Sequence, residues 1–479
     1  MTAACLLLLF QSIVLLKTRW VEDESWNTDC AATYLREGRL RMSSFPADTA
    51  SQVDTRPPLM PLTLAAAYKF FGIGVFQSRV FAVIAGILTV VVVFFLGVEL
   101  GGPHLGGLSA LLVAADSFLV AAARTTRPEI FTTLSCTLGL LLFYQSRRKQ
   151  SVGLSVLAGV AVGIAMNYHP LGIGMAAAIG LLYAMESGWG AFRQLRAWAF
   201  AGACVLSVVP FVLWIRSTPV HYRAFKEVYL GRAAIPYLWK LQTEVGRYAD
   251  FLGISNQRFG LPFRVPVRLH IVLIVAGAFV WLYRTKRRLA LELAACLAVN
   301  MLWWTFLVNK GPRSFAFFAP ILALVVATSL LYAVRTRGWR RPAIAIGLLF
   351  VVSQVAGNAW WVYHFRKADY PEVSRQLRAI IPDGASAYGI ITFYMALNDH
   401  PYYSYDRTPF AYAMARLHPE YLILYDRVMM NGSGFGLDDF ADLRSQLREF
   451  TSGGGATLAG EVDNEFYGNL KVYKVTYPR

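Results

Sequence analysis

Residues 80–98 read VFAVIAGILTVVVVFFLGV, a run of 19 residues that contains no charge. That length is close to the roughly 20 residues that an α-helix needs to cross a bilayer. Four further runs are as clear, at 130–146, 197–215, 314–334 and 343–363. Six are shorter or weaker, at 3–16, 105–123 (with Asp116), 151–168, 171–185, 269–283 and 289–308 (with Glu292). The sequence therefore predicts a polytopic α-helical membrane protein with about 11 transmembrane helices.

The charge of the chain is strongly positive but sparse. The net charge is +17, yet only 16% of the 479 residues are charged, against about 25% in typical soluble domains. A basic chain can bind nucleic acid, but here the basic clusters lie in short loops between apolar runs, as in positive-inside loops. These clusters are 147–149, Arg193 with Arg196, 284–288 and 335–341. We expect them on the cytoplasmic side, anchored against anionic lipid, with no nucleic-acid partner.

These clusters indicate on which side of the membrane each loop lies. If the N-terminus is cytoplasmic and 78–99 is the second span, all four clusters are cytoplasmic. The stretch 59–76 must then lie in the interface without crossing, which suits its flanking prolines and Lys69. We expect a multi-pass protein of the cytoplasmic (inner) membrane. Its parts are 1–77 (first helix, large outer loop with catalytic residues and interfacial helix), 78–363 (bundle with outer loop 216–268) and 364–479 (soluble periplasmic or extracytoplasmic α/β domain).

The last 116 residues have the pattern of a small folded α/β domain. Apolar residues on one face predict a helix near Val373 and Leu377, and short apolar runs predict strands at 387–391, 421–425 and 470–477. A second helix is predicted at 437–450. The chain has five cysteines, of which only Cys30 is expected outside, so no disulfide framework is predicted.

Polar side chains from distant loops are expected together on the outer face. Carboxylates there can act as a general base or hold a cation, and cations at head-group depth suit a phosphate carried on a lipid. Singly, each residue is typical of an interface anchor or a local ion pair; together they favour group transfer from a lipid phosphate. The candidates are Asp23, Glu24, Trp26, Arg56, Arg124, Arg127, Glu129, His169, Lys310 and Arg313.

Two acids lie inside or beside apolar runs. Asp116 is within a predicted span, where an acidic side chain is expensive and is either functional or paired; the sequence leaves both readings open. Glu292 is four residues from Arg288, so we expect a local ion pair.

Several short motifs now point to one known group. The Asp23–Glu24 pair follows the first helix, 31–38 reads AATYLREG, Arg56 opens an Arg-Pro-Pro-Leu element, Arg79 begins the second span, and 123–129 reads ARTTRPE. A basic element with Lys310, Arg313, Phe315 and Pro320 comes late in the bundle. In order and spacing, over about residues 1–365, this resembles the bacterial GT-C glycosyltransferases of the protein-mannosyltransferase and aminoarabinose-transferase (lipid A) type.

The resemblance implies transfer of a sugar from a polyprenyl phosphate to an acceptor hydroxyl, with inversion. It implies Asp23 as general base with Glu24 in support, and Arg56, Arg124 and Arg127 as donor-phosphate ligands. Glu129 stands where the group often has Asp, so its role as a further catalytic acid is less defined. Some relatives use a divalent cation, and the sequence leaves that requirement open, as it does the acceptor: lipid, glycan or protein.

Two other functions compete with a transferase. A transporter or flippase of a lipid-linked saccharide would need ionisable or broken-helix residues near mid-membrane. A structural or assembly protein would use the C-terminal domain to bind a partner and would not need Asp23.

Overall fold

A computed structural model describes residues 1–13, 22–45, 57–217, 222, 236–251, 269–306, 312–405, 408–425 and 439–477. A helical bundle is followed by a smaller α/β unit. The helices are α1 (Thr2–Ile13), α2 (Glu22–Glu37), α3 (Leu59–Phe71), α4 (Val75–Gly101), α5 (Pro103–Ala115), α6 (Ser117–Ala123), α7 (Pro128–Lys149), α8 (Val152–Tyr168), α9 (Gly172–Ser187), α10 (Leu195–Arg216), α11 (Tyr237–Phe251), α12 (Leu269–Thr285), α13 (Arg287–Phe306), α14 (Ala319–Arg335), α15 (Arg340–Phe365), α16 (Tyr370–Ile380) and α17 (Asp439–Ser452).

Each apolar run of the sequence coincides with a helix among the described residues, with α5 and α6 together forming one run. By length and apolarity, α4, α10, α13 and α15 can each cross a membrane, and α5 with α6 makes a fifth candidate. The described part of the chain is therefore mostly helical, with four to five candidate spans, and the count of about 11 spans stays a prediction.

Helix α3 lies at one end of the bundle. Its 13 residues extend about 20 Å, short of the roughly 30 Å of a bilayer core. Near its start, Thr63 bonds the hydroxyl of Tyr168, at the end of α8; just beyond its end, Ile73 packs against the α/β unit. These contacts place α3 beside the end of α8 and the α/β unit; its position in the membrane interface stays a prediction.

The span formed by α5 and α6 is broken, with a bend of 67° at Asp116. The Asp116 carboxylate accepts hydrogen bonds from the backbone N–H groups of Phe118 and Leu119, both 2.9 Å, and so caps the second half. A break in an apolar bundle also leaves backbone carbonyl groups to be satisfied. Gln11 of α1 donates to the Ala114 carbonyl.

Helix α15 supplies the remaining partners of the break. Asn358 donates to the Ala115 carbonyl oxygen at 3.0 Å and to Gln11 at 2.7 Å. Gln354 donates to Asp116 at 3.2 Å and accepts from Ser117 at 2.8 Å. Of the two readings of Asp116, this supports structural pairing.

The basic clusters lie together at the other end of the bundle. Glu292 accepts hydrogen bonds from Arg147 at 2.7 Å and Arg288 at 3.1 Å, so the ion pair expected with Arg288 is present. Arg196 donates to the Ser146 carbonyl at 3.4 Å, beside Arg147. Cys5, Cys136, Cys204 and Cys296 are free thiols.

The α/β unit contains a five-stranded mixed sheet in the order β2-β1-β3-β5-β4. Strands β1 and β2 are parallel, as are β1 and β3, whereas β5 is antiparallel to both β3 and β4. Helix α16 buries Tyr370, Val373 and Leu377 against this sheet. The strands are β1 (Ala387–Gly389), β2 (Tyr402–Ser404), β3 (Tyr421–Tyr425), β4 (Ala456–Asn464) and β5 (Gly468–Val475).

We expect Asp116→Ala to lower the free energy of unfolding by about 1–2 kcal/mol, because α6 loses its cap. Asp116→Asn keeps an oxygen acceptor and should stay near wild type. Thermal unfolding of the detergent-purified protein measures both. Equal destabilisation by both variants would mean that the charge, and not the cap, is what matters at this position.

Candidate active site

The Glu24 carboxylate is fully buried and has partners on two other elements. Arg79, in the first turn of α4 and itself 1% exposed, donates through Nε at 2.8 Å and Nη2 at 2.7 Å. The backbone N–H of Thr126 donates to the same carboxylate at 2.8 Å. A bidentate pair of this kind fixes orientation as well as distance. Helix α2 is thereby tied to α4 and to the loop before α7.

Thr126 is held from both sides. Asn27, one turn after Glu24 on α2, donates through Nδ2 to the Thr126 carbonyl oxygen at 3.1 Å. Asp23 lies in the first turn of α2, one residue before Glu24; its side chain lies outside the description. Arg79 and the Thr126 N–H both donate to the Glu24 carboxylate, so Glu24 positions α2. The catalytic support that Glu24 is expected to give Asp23 stays a prediction.

Glu129 and Arg127 form a second pair at the same end. Arg127 Nη2 lies 2.6 Å from Glu129 Oε1; the arginine side chain is 21% exposed and the glutamate 3%. Burial by itself raises the pKa of the Glu129 carboxyl, but the charge and hydrogen bonds of Arg127 outweigh it, and the pKa falls to about 2. Glu129 is therefore ionised at neutral pH, and it serves to orient Arg127; it is poorly suited to take up a proton.

Arg124 and His169 also lie at this end. The Arg124 guanidinium is partly exposed and stands over the ring of Trp361 of α15, 5.4 Å from its centroid. His169 follows α8, and its Nδ1 accepts a hydrogen bond from the Leu171 N–H at 3.1 Å. His169 also helps to lower the pKa of Glu129, which places its ring near that carboxylate.

Trp26, a candidate substrate contact, is half-buried. Its side chain packs against Cys30, Met42 and Phe45 on one side and against the core of the α/β unit on the other. Its role in substrate binding stays a prediction.

For three of the predicted cationic residues, the structure describes either nothing or only the backbone. Arg56 and Lys310 are outside the described residues, and for Arg313 only the backbone is described. Arg313 lies in the short 3-10 helix Pro312–Phe317, where Phe315 packs on Phe118 of α6 with ring centroids 5.2 Å apart. The backbone of Arg313 is therefore near α6, which leads to Arg124.

Asp29 is a buried acid that the sequence reasoning missed. It accepts hydrogen bonds from the backbone N–H groups of Ser43 at 2.9 Å and Ser44 at 3.0 Å, and its side chain is fully buried. The chain reverses at Gly38, whose φ of 69° favours glycine. No local motif marks this contact; only the chain reversal after a helix-ending glycine hints at it.

The α/β unit lies directly on α2 and the segment that Asp29 holds. The Ser404 N–H of β2 donates to the Ser44 carbonyl at 2.9 Å. From α2, Ser25 donates to the Thr392 carbonyl at 3.4 Å, and Arg36 donates to the Asn398 carbonyl. Tyr402 and Tyr405 are buried in the core of the α/β unit.

The described side chains do not bring together a preformed metal site. Within these ranges, no three His, Cys, Asp or Glu side chains are grouped so that they could hold an ion. Glu24 and Glu129 are each paired with a guanidinium group.

This architecture is similar to the fold of the GT-C integral-membrane glycosyltransferases. ArnT from Cupriavidus metallidurans, in a crystal structure bound to undecaprenyl phosphate, matches 100% of this chain and 98% of its own with a TM-score of 0.67 at 14% identity. The oligosaccharyltransferase of Archaeoglobus fulgidus, in complex with Zn and sulfate, matches 98% of this chain and 72% of its own, with a TM-score of 0.57 at 13% identity. The resemblance read from the motifs is confirmed.

The similarity in sequence covers a shorter part of the chain than the structural match does. The family model described as dolichyl-phosphate-mannose-protein mannosyltransferase matches residues 55–214. An uncharacterized protein of Aquifex aeolicus (strain VF5) is 24% identical over 213 residues, which are 44% of this chain and 42% of that protein. The alignment thus spans less than half of that relative. The family match includes Arg79 and the 124–129 loop, and it begins after α2.

We expect Glu24→Gln to lower the free energy of unfolding by about 3–5 kcal/mol, because Arg79 then stays buried without its counter-charge. Thermal unfolding in detergent measures this. Glu37→Gln, on the same helix, is the matched control: its pair with Arg41 is exposed and should contribute less than about 1 kcal/mol.

A double-mutant cycle separates the pair from its parts. Combining Glu24→Gln with Arg79→Gln should be less destabilising than the sum of the two single changes. Additive effects would show that Glu24 and Arg79 are not energetically coupled.

Proposed function

We propose that this protein is an inverting glycosyltransferase. It moves a sugar from a polyprenyl-phosphate donor to the hydroxyl group of an acceptor, at the outer face of the cytoplasmic membrane. Asp23 is the general base. In this orientation the N-terminus and the basic end of the bundle are cytoplasmic, and residues 364–479 form the extracytoplasmic domain.

The proposal rests on the hydrogen bonds that the Glu24 carboxylate accepts from Arg79 and from the Thr126 N–H. They hold the turn with Asp23 beside the loop with Arg124 and Arg127, although 102 residues separate Glu24 from Thr126. The backbone turn of Asp23 and the loop with Arg124 and Arg127 are thus neighbours at one end of an apolar bundle. The fold supports this reading, since ArnT with the same fold binds undecaprenyl phosphate, and AglB, the Archaeoglobus oligosaccharyltransferase, is known in complex with a dolichol-phosphate.

The chemistry assigned to these residues balances without a further reagent. The acceptor O–H proton passes to the Asp23 carboxylate while the acceptor oxygen bonds to the anomeric carbon. The bond from that carbon to the phosphate oxygen breaks on the opposite face, which inverts the configuration. The lipid phosphate leaves with the electron pair, and its growing negative charge is stabilised by Arg124 and Arg127, with Arg56, Lys310 and Arg313 as further ligands.

Arg127 is prepared for this role by Glu129. The pair is short, and the guanidinium retains 21% exposure, so one side is fixed by the carboxylate while part of the group reaches solvent. A fixed guanidinium needs little reorganisation when charge develops on the phosphate. Glu129 therefore contributes through Arg127, and Glu24 contributes through the position of α2.

Among the described residues, the broken helix formed by α5 and α6 is the one observation that could favour a transporter. Broken helices of transporters present backbone groups to a substrate cavity. Here the carbonyl groups of Ala114 and Ala115 are bonded to Gln11 and Asn358, and Asp116 bonds α6 and Gln354. The break is closed by protein side chains, which favours the transferase.

Asp23→Asn should reduce sugar transfer about 100- to 10,000-fold, because the acceptor proton loses its base. The measurement is transfer of labelled sugar from membrane-extracted polyprenyl-phosphate donors at matched expression. Glu22→Gln, the neighbouring acid on α2, is the matched control and should retain activity. Repeating the assay with a chelator and then with added divalent cations measures the metal requirement.

The two alternatives predict other results. Full transfer by Asp23→Asn would place the base elsewhere. If neither wild type nor variant transfers sugar from any donor, and vesicles containing the protein translocate a lipid-linked saccharide, the transporter reading replaces this proposal.

A further inference from the structure

A cavity of about 710 Å³ lies at the basic end of the bundle, between the ends of α4, α7 and α14 and the start of α13. Six of its lining residues are cationic and two are carboxylates, an excess of four positive charges. The cations come from three of the basic clusters of the sequence. They are Arg147, Arg148, Lys286, Arg287, Arg288 and Arg335.

The two carboxylates are buried and hold part of the cationic rim. Glu292, 3% exposed, accepts from Arg147 at 2.7 Å, and Glu99, 7% exposed, lies 3.0 Å from Arg148. Arg148 and Arg288 remain more than half exposed, at 61% and 66%. The acids thus orient guanidinium groups that still reach the open space of the cavity, where they can bind an anion.

Four leucines form an apolar part of the lining. Leu100, Leu105, Leu289 and Leu331 contribute to it. The ring of Tyr332 lies 5.7 Å from the Lys286 ammonium group. A soluble anion would meet the cations but leave this leucine surface in water. A phospholipid satisfies both parts, with its phosphate at the cations and its glycerol and upper acyl chains on the leucines.

The position of the cavity suits a lipid and separates it from the candidate active site. Glu99 immediately follows the uncharged run 80–98, which places the cations at head-group depth. Along α4, Glu99 is 20 residues after Arg79, about 30 Å at 1.5 Å per residue. Basic pockets between membrane helices are suited to acidic head groups.

We propose that this cavity binds the phosphate head group of one anionic phospholipid. The lipid joins α4, α7, α13 and α14 at the end opposite α2, where the basic clusters would otherwise repel one another. Its binding is independent of the transferase reaction, so it is tested without an activity assay.

The test uses the full chain, purified in detergent, with phosphatidylglycerol, phosphatidylcholine, glycerol phosphate and inorganic phosphate as probes. Native mass spectrometry counts retained lipid, and thermal unfolding measures the affinity. We expect one phosphatidylglycerol per chain, and binding about 10- to 30-fold weaker in Lys286→Gln/Arg335→Gln. Within the described part of the chain neither residue forms an ion pair with the two carboxylates, so this change breaks no buried pair.

The matched control is Arg340→Gln/Arg341→Gln, which removes the same charge from exposed residues at the start of α15, outside the cavity lining. It should bind phosphatidylglycerol within about twofold of wild type. Equal weakening by the control, or equal binding of phosphatidylcholine, would overturn the proposal. Glycerol phosphate binding as tightly as phosphatidylglycerol would identify a soluble phosphate ester as the ligand and also overturn it. If the double variant does not fold, Lys286→Gln alone provides the test, with several-fold weaker binding expected.

Discussion

The buried ion pair of Glu24 and Arg79 is the contact on which the α2 end of the bundle depends. Two charges removed from water stay charged only if their hydrogen bonds are nearly complete, and here the carboxylate also accepts the Thr126 N–H. Apolar side chains of similar volume can give a comparable stability. What the pair adds is direction, since a bidentate contact allows one rotation of α2 against α4. The backbone position of Asp23 follows from that rotation.

The same requirement for buried polar partners shapes the broken span. Asp116, Gln11 and Asn358 satisfy the groups that the break between α5 and α6 exposes. Helix α6 ends at Ala123, three residues before Thr126, so the angle of the break helps to decide where Thr126 meets Glu24. A structural network inside the bundle thereby positions the loop that carries the candidate phosphate ligands.

The α/β unit contributes to the site by covering α2. The Trp26 side chain of α2 packs against the core of this unit, and the Ser44 carbonyl accepts from β2. Asp29 holds Ser43 and Ser44 in place. A displacement of α2 therefore also moves the segment on which the unit rests, which couples the unit to the turn with Asp23.

The sequence by itself determined where the apolar helices form, because apolar runs such as 80–98 are a local property of length and composition. It also predicted β3 at its observed bounds and α16 closely. Strand β4 was missed, since it follows three glycines and exposes most of its residues. The alternation of loops between the two sides of the membrane predicted Glu24, Arg127 and Glu129 on the same side. Only the tertiary structure decided which acid pairs with which arginine. Arg79 and Glu24 are 55 residues apart, and the choice of partner depends on the packing of α2 against α4, which no local pattern records.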